Sequence, residues 1–91
     1  MNYIDKLFTD DTVSNEKKGQ YYLTLLNEKK YYLTKYIELK YCDQIVLFLK
    51  KNIKKNIMIK TKYTTLKNKL FYRELFDTLF ALSIPVLLSK L

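Results

Sequence analysis

Apolar residues recur at spacings of three and four along most of this chain, which is the pattern of amphipathic α-helices. The first nine residues show this pattern with Ile4, Leu7 and Phe8, and two aspartates then interrupt it. We predict a short helix at about residues 2–9.

The longest uninterrupted pattern covers residues 20–56, which contain neither glycine nor proline. A single helix of this length would extend about 55 Å, at about 1.5 Å per residue, which is too long for a small bundle. We therefore place a break near residues 27–30 and predict two antiparallel helices, at about 14–29 and 32–56. Thr12 or Ser14 caps the first of them, Glu16 complements its dipole, and Gly19 weakens its start.

A β-hairpin is the alternative for residues 20–40. Asn-Glu-Lys-Lys occurs at 15–18 and again at 27–30, and Tyr-Tyr-Leu-Thr follows at 21–24 and 31–34. Tyrosine and threonine favour strands, but the turn between the two copies lacks the Asn-Gly pair typical of hairpins. We therefore prefer two helices.

In residues 57–64, β-branched or aromatic side chains occupy the odd positions, and methionine, lysine or threonine the even positions. This period of two indicates an extended segment. A lone strand has no pairing partner, so we predict a basic connector here. A final helix follows at about 65–82, capped by Thr64 or Thr65, and Ser83 with Pro85 marks a restart. Its predicted inward residues are Leu70, Phe71, Leu75, Leu79 and Leu82.

These elements predict an all-α fold, a single small bundle of three to four helices formed by residues 1–91 as one domain. A chain of 91 residues that is 48% hydrophobic has enough apolar side chains for one core. Cys42 is the only cysteine, which excludes an intrachain disulfide. The first residues lack a secretory pattern, so we expect the cytoplasm or an organelle interior.

Positive charge is concentrated in residues 50–69, the basic segment, which holds eight lysines and no acid. Its charge equals the formal net charge of the chain, +8. Such a field attracts polyanions, and we expect nucleic acid or a nucleoprotein complex as the partner. The candidate phosphate contacts are Lys50, Lys51, Lys54, Lys55, Lys60, Lys62, Lys67 and Lys69, with Tyr63 as a candidate base stacker. If residues 50–56 are helical, the first four of these lysines share one strip, and Ile53 and Ile57 face inward.

Codon bias is the competing explanation for the lysines. Of the 17 basic residues 16 are lysine, and Lys, Asn, Ile, Tyr and Phe together supply 43 of the 91 residues. A+T-rich coding in a low-GC genome produces this composition, and the basic segment is then only a solvated face.

Two further surfaces suit a protein partner. Tyrosine suits half-buried interface positions, and the most apolar part of the chain is residues 75–91, which we expect to be a core helix by default and a docking surface otherwise. Asp77, Pro85 and Lys90 interrupt this part, so we expect peripheral membrane contact at most and no transmembrane span. The tyrosines concerned are Tyr21, Tyr22, Tyr31, Tyr32, Tyr36, Tyr41, Tyr63 and Tyr72.

Catalytic chemistry is poorly provided for. The chain has no histidine and one glycine, so the usual general base, the commonest metal ligand and a glycine-rich phosphate loop are all missing. We therefore predict a non-enzymatic binding protein without metal or cofactor, an accessory subunit that contacts RNA or DNA. The alternative is a protein-binding helical module of the immunity or inhibitor kind, of plasmid or phage origin, that works on an acidic target or at the membrane surface.

Overall fold

The computed structural model describes the backbone of residues 2–89 and the side chains of residues 3–81. Residues 2–89 form helices and turns without any strand, so the all-α prediction is confirmed and the hairpin alternative is wrong. There are five helices in this range, one or two more than predicted. They are α1 (Asn2–Thr9), α2 (Asn15–Asn27), α3 (Tyr31–Lys40), α4 (Cys42–Lys51) and α5 (Ile57–Ser89).

The first two helices begin and end close to where the sequence places them. Ser14 caps α2, because its hydroxyl oxygen accepts a hydrogen bond from the backbone N–H of Lys17 at 3.1 Å. After α2, Lys29 takes the left-handed backbone conformation, with φ of 59°. The next N–H, of Lys30, bonds back to the carbonyl of Leu25 at 2.9 Å, which closes the helix end.

The predicted helix at 32–56 is wrong, since it is interrupted at Tyr41 and ends at Lys51. Tyr41 leaves helical geometry (φ −126°, ψ 33°) without any glycine or proline nearby. Its ring is buried and stacks on Phe8 with centroids 4.9 Å apart, and its hydroxyl donates a hydrogen bond to Asp5. Contacts with α1 therefore accompany the bend between α3 and α4, and no local sequence signal marks it.

The connector predicted at 57–64 is also wrong, because this stretch is the start of α5. Asn56 caps it, with its side-chain oxygen accepting a hydrogen bond from the N–H of Ile59 at 2.9 Å. Ile59 and Leu66 are both buried and lie seven residues apart, so the true apolar period is helical. The predicted restart at residues 83–85 is absent as well, since the helical backbone continues to Ser89.

A core of apolar side chains lies between α1, α2, α3, α4 and the first half of α5. Its fully buried members include Phe8, Tyr22, Ile37, Leu49 and Leu66. Burying a side chain of this size contributes roughly 1.5–3 kcal/mol relative to leaving it exposed. The core therefore fixes α4 against both α2 and α5, and so fixes the turn between α4 and α5.

Helix α5 is much longer than the others. Its 33 residues extend about 50 Å at about 1.5 Å per residue, close to the 53 Å long dimension of the molecule. The other helices have 8 to 13 residues, so they cover only part of it. The second half of α5 consequently runs past the bundle.

Candidate nucleic-acid interface

Five exposed lysines lie where α4 turns into α5, and we name this surface the basic corner. Lys50 and Lys51 occupy the last turn of α4, Lys54 and Lys55 lie in the turn, and Lys60 lies in the first turns of α5. Among the described residues, no carboxylate forms an ion pair with any of the five. The basic corner therefore presents uncompensated charge to solvent.

Two asparagines hold the turn that carries these lysines. Asn52 is buried and donates its side-chain N–H to the carbonyl of Phe48 at 2.8 Å, while Asn56 caps α5. Residues 52–56 are not helical, and Ile57 is 80% exposed. The expectation of one helical strip with Ile57 facing inward is therefore wrong, and the lysines lie around a turn.

Two carboxylates share surface hollows with residues in or next to the α4–α5 turn but do not neutralise the basic corner. Glu16 lines the same surface hollow as Lys51 without pairing with it. Glu28 lies beside Asn56 in another hollow, but its carboxylate pairs with Lys30 at 3.0 Å. The negative end of the α4 dipole stabilises Lys50 and Lys51 without cancelling their charge.

Lys62 differs from the other lysines of the basic segment because a carboxylate holds it. Its Nζ lies 3.1 Å from Oε2 of Glu38, and the same oxygen accepts a 2.6 Å hydrogen bond from the hydroxyl of Tyr22. Glu38 and Tyr22 are buried, and burial together with this hydrogen bond raises the pKa of Tyr22. Lys62 thus joins α5 to α2 and α3 and is not available to a phosphate in this arrangement.

Helical geometry divides the remaining lysines of α5. Lys60 and Lys67 are seven residues apart and share one side of the helix, whereas Lys62 and Lys69 share a roughly opposite side. Tyr63 is half-buried against the core, and Nζ of Lys67 lies 5.6 Å from its ring centroid. The nine predicted site residues therefore do not form one surface, and the basic corner contains five of them.

The predicted tyrosine surface is also divided, since several hydroxyl groups bond within the bundle. Those of Tyr36 and Tyr41 both donate to the carboxylate of Asp5, which Lys40 also contacts at 3.2 Å. These hydrogen bonds, that of Tyr41 above all, lower the pKa of Asp5. Only part of the tyrosine set, including Tyr32, remains largely exposed.

The sequence did not point to the two carboxylates that accept hydrogen bonds from tyrosine. Asp5 and Glu38 are single acids in separate helices, and the tyrosines they accept from lie up to 36 residues away. The alternation of apolar and polar positions contains no information about such distant pairs.

The second half of α5 exposes an apolar stripe, which we define as Phe71, Tyr72, Leu75, Phe76, Leu79 and Phe80. Each of these side chains is between 42% and 67% exposed. The prediction that Phe71, Leu75 and Leu79 face inward is therefore wrong. Leu70 is half-buried against the core, as predicted. Leu82 lies outside the residues whose side chains are described.

In the described part of the chain, no helix contains an apolar stretch long enough to span a bilayer.

Cys42 is a small core residue. It is buried, and its Sγ lies 3.7 Å from the carbonyl oxygen of Leu66. Burial raises the pKa of its thiol, so the reactive thiolate is disfavoured. Its position agrees with a structural role.

Comparison with known proteins adds no relative, since no family model, curated protein or solved structure matches this chain.

Proposed function

We propose that this protein is a small, non-enzymatic binding protein that contacts the phosphate backbone of a nucleic acid, by itself or within a nucleoprotein assembly. The supporting observation is the basic corner, five exposed lysines between residues 50 and 60 without a carboxylate partner among the described residues. Ammonium groups paired with phosphates release condensed counterions, which is the main source of nonspecific affinity. Lysine contacts of this kind do not read sequence.

The number of lysines sets the expected dependence of binding on salt. Five phosphate contacts give a slope of log K against log salt of about −4.5 on duplex DNA, since each contact contributes about −0.9. A fourfold rise in salt, from about 50 to about 200 mM, then weakens binding about 500-fold.

Fluorescence anisotropy with a mixed-sequence DNA duplex and a single-stranded RNA tests the proposal. The double variant Lys54→Gln/Lys55→Gln removes two contacts, so the slope on duplex DNA should become less steep by about 1.8. The matched control is Lys6→Gln/Lys35→Gln, which removes the same charge from two exposed lysines outside the basic corner. The control should keep the slope of the original protein.

Two results would contradict this function. One is binding no stronger than the weak attraction of any basic protein at about 50 mM salt. The other is an equal loss of slope in both double variants, because net charge alone would then account for binding.

A second candidate function is a protein-binding module of the immunity or inhibitor kind. It is favoured by Tyr31 and Tyr32 at the start of α3, which are 55% and 79% exposed, since tyrosine is enriched in protein interfaces. The salt titration separates the two functions, because this one predicts no salt-dependent nucleic-acid complex beyond weak attraction. Exchanging Tyr32 for serine should then weaken partner binding and leave the DNA titration unchanged.

A further inference from the structure

Most of the apolar stripe of α5 lies on the side of the helix away from the bundle. Leu66 is fully buried against α4, and Leu75 follows it by nine residues, which is two and a half helical turns. The side of α5 that continues the buried face carries Arg73, Glu74 and Asp77, with Phe80 of the stripe at its margin. The bundle therefore leaves the stripe exposed, and its central residue Leu75 lies opposite the face that packs on α4.

The exposed area is large for a protein of this size. The rings of Phe71, Tyr72 and Phe76 are 59%, 67% and 67% exposed. At about 200 Å² for each aromatic side chain, they leave about 400 Å² in contact with water. Leu75 and Leu79 bring the total to about 500 Å². The largest apolar patch on a typical monomer covers about 300–600 Å² and is often functional, so an area of about 500 Å² on so small a chain marks a candidate interaction surface.

The spacing of the stripe is self-complementary. Apolar pairs stand at residues 71/72, 75/76 and 79/80, and two polar residues separate each pair from the next. If a second copy of α5 packs antiparallel to the first and is centred on residues 75/76, residues 71/72 of one copy contact residues 79/80 of the other. Residues 75/76 of the two copies then contact each other. A two-fold interface requires this property, because the same surface must fit against itself. The rows spaced by four residues are also the ridges by which helices interlock.

Charge selects the antiparallel direction. Residues 57–69 of α5 carry four lysines and no acid, so parallel pairing would bring two strongly basic segments side by side. Antiparallel pairing places them at opposite ends of the pair. The stripe itself contains no charged residue that would select an acidic or a basic partner.

From this combination of area, spacing and charge we infer that the apolar stripe is the docking site for a second copy of this chain, and that the protein forms an antiparallel dimer through α5. Complete burial of the five side chains considered above would remove about 1,000 Å² from water in the two copies together, which is about the minimum for a biological interface. An interface of this minimal size is typical of weak association, so we expect a dimer in equilibrium with its monomer. This inference is independent of the proposed function, because the stripe contains none of the lysines of the basic corner.

Sedimentation equilibrium of the full chain between about 1 and 300 µM tests the dimer. The original protein should shift from monomer to dimer across this range and should do so equally at about 0.1 and 0.5 M salt, since an apolar contact is not screened. Phe76→Lys places a charge on the middle pair and should leave the protein monomeric at the highest concentration. Leu79→Lys should do the same. Thr78→Lys adds the same charge beside the stripe and should retain the dimer.

Crosslinking tests the direction. Tyr72→Cys and Leu79→Cys are mixed and oxidised, and antiparallel pairing should give mixed disulfides between the two variants in preference to disulfides within either variant. Circular dichroism should show unchanged helix content for all variants, because the substituted side chains are exposed.

The inference is overturned if the original protein is monomeric at 300 µM, or if Phe76→Lys and Thr78→Lys dimerise equally. It is also overturned if the stripe variants lose binding to vesicles of anionic phospholipid while no dimer forms at any concentration, since the stripe would then dock on a membrane. Failure of the DNA titration leaves the dimer unaffected, because that titration depends on the basic corner.

Discussion

Replacing Gly19 by alanine should destabilise the protein, although alanine is the better helix former. Gly19 lies inside α2 and is buried. A Cβ atom at this position would lie 2.1 Å from Cγ and 2.3 Å from both Cδ atoms of Phe48. The ring of Phe48 is 2% exposed and enclosed by the core, so it cannot withdraw without moving its neighbours. The absence of a side chain at Gly19 therefore leaves room for the ring of Phe48.

Two opposing terms set the size of the effect. Alanine gains about 1 kcal/mol of helix propensity over glycine. Overpacking a core costs typically about 1–3 kcal/mol, and here the upper end applies because three ring atoms would overlap with a rigid backbone substituent. The net loss is about 2 kcal/mol, which lowers the melting temperature by about 8–16 °C in a domain of this size.

Urea denaturation followed by circular dichroism measures the change in the free energy of unfolding. Gln20→Ala is the control, since Gln20 is the exposed neighbour in the same helix and should change stability by less than about 0.5 kcal/mol. Adding Phe48→Leu to Gly19→Ala should recover part of the loss, so that a double-mutant cycle gives a favourable coupling. A Gly19→Ala variant more stable than the original protein would refute the reasoning, because propensity would then outweigh the overlap.

Two further predictions concern the carboxylates that accept hydrogen bonds from tyrosine, Asp5 and Glu38. Hydrogen bonds from Tyr41 and its neighbours lower the pKa of Asp5, so its contribution to stability is present above the unfolded pKa near 3.8 and is lost as pH falls through the lower folded value. Asp5→Asn should therefore be less stable at pH 7 and should show a flatter decline of melting temperature below pH 4; an unchanged acid limb would contradict this. Tyr22→Phe removes the hydrogen bond to Glu38 and should cost about 1.5–3 kcal/mol in urea denaturation. The exposed control Tyr32→Phe should cost less than about 0.5 kcal/mol, and equal losses would show that the buried bond contributes nothing.

The helical class and the first two helices could be predicted from the sequence, because local signals mark the ends of α1 and α2. The cap at Ser14, one of two candidates, follows from residue type, and the break near residues 27–30 follows from the length of the apolar pattern. The bend at Tyr41 could not be predicted, since neither glycine nor proline lies near it. Its ring and hydroxyl contact α1, which precedes it by more than 30 residues.

The candidate site was only partly predictable for a related reason. The lysines in the sequence show how much charge the basic segment carries. Five of these eight lysines lie on the basic corner. Lys62 faces Glu38 instead, and Lys69 lies on the side of α5 opposite to Lys60. The direction of each ammonium group depends on helical phase, which the period-two interpretation of residues 57–64 assigned wrongly.

By itself, the sequence determined that this chain is helical and where its uncompensated charge is concentrated, because apolar spacing and residue charge are local properties. Only the tertiary structure decided which faces are covered. Helix α5 is longer than the bundle beside it, so the same apolar residues that predict a core helix become an exposed stripe beyond Leu70. Burial depends on what lies opposite a side chain, and that is a property of the assembled fold.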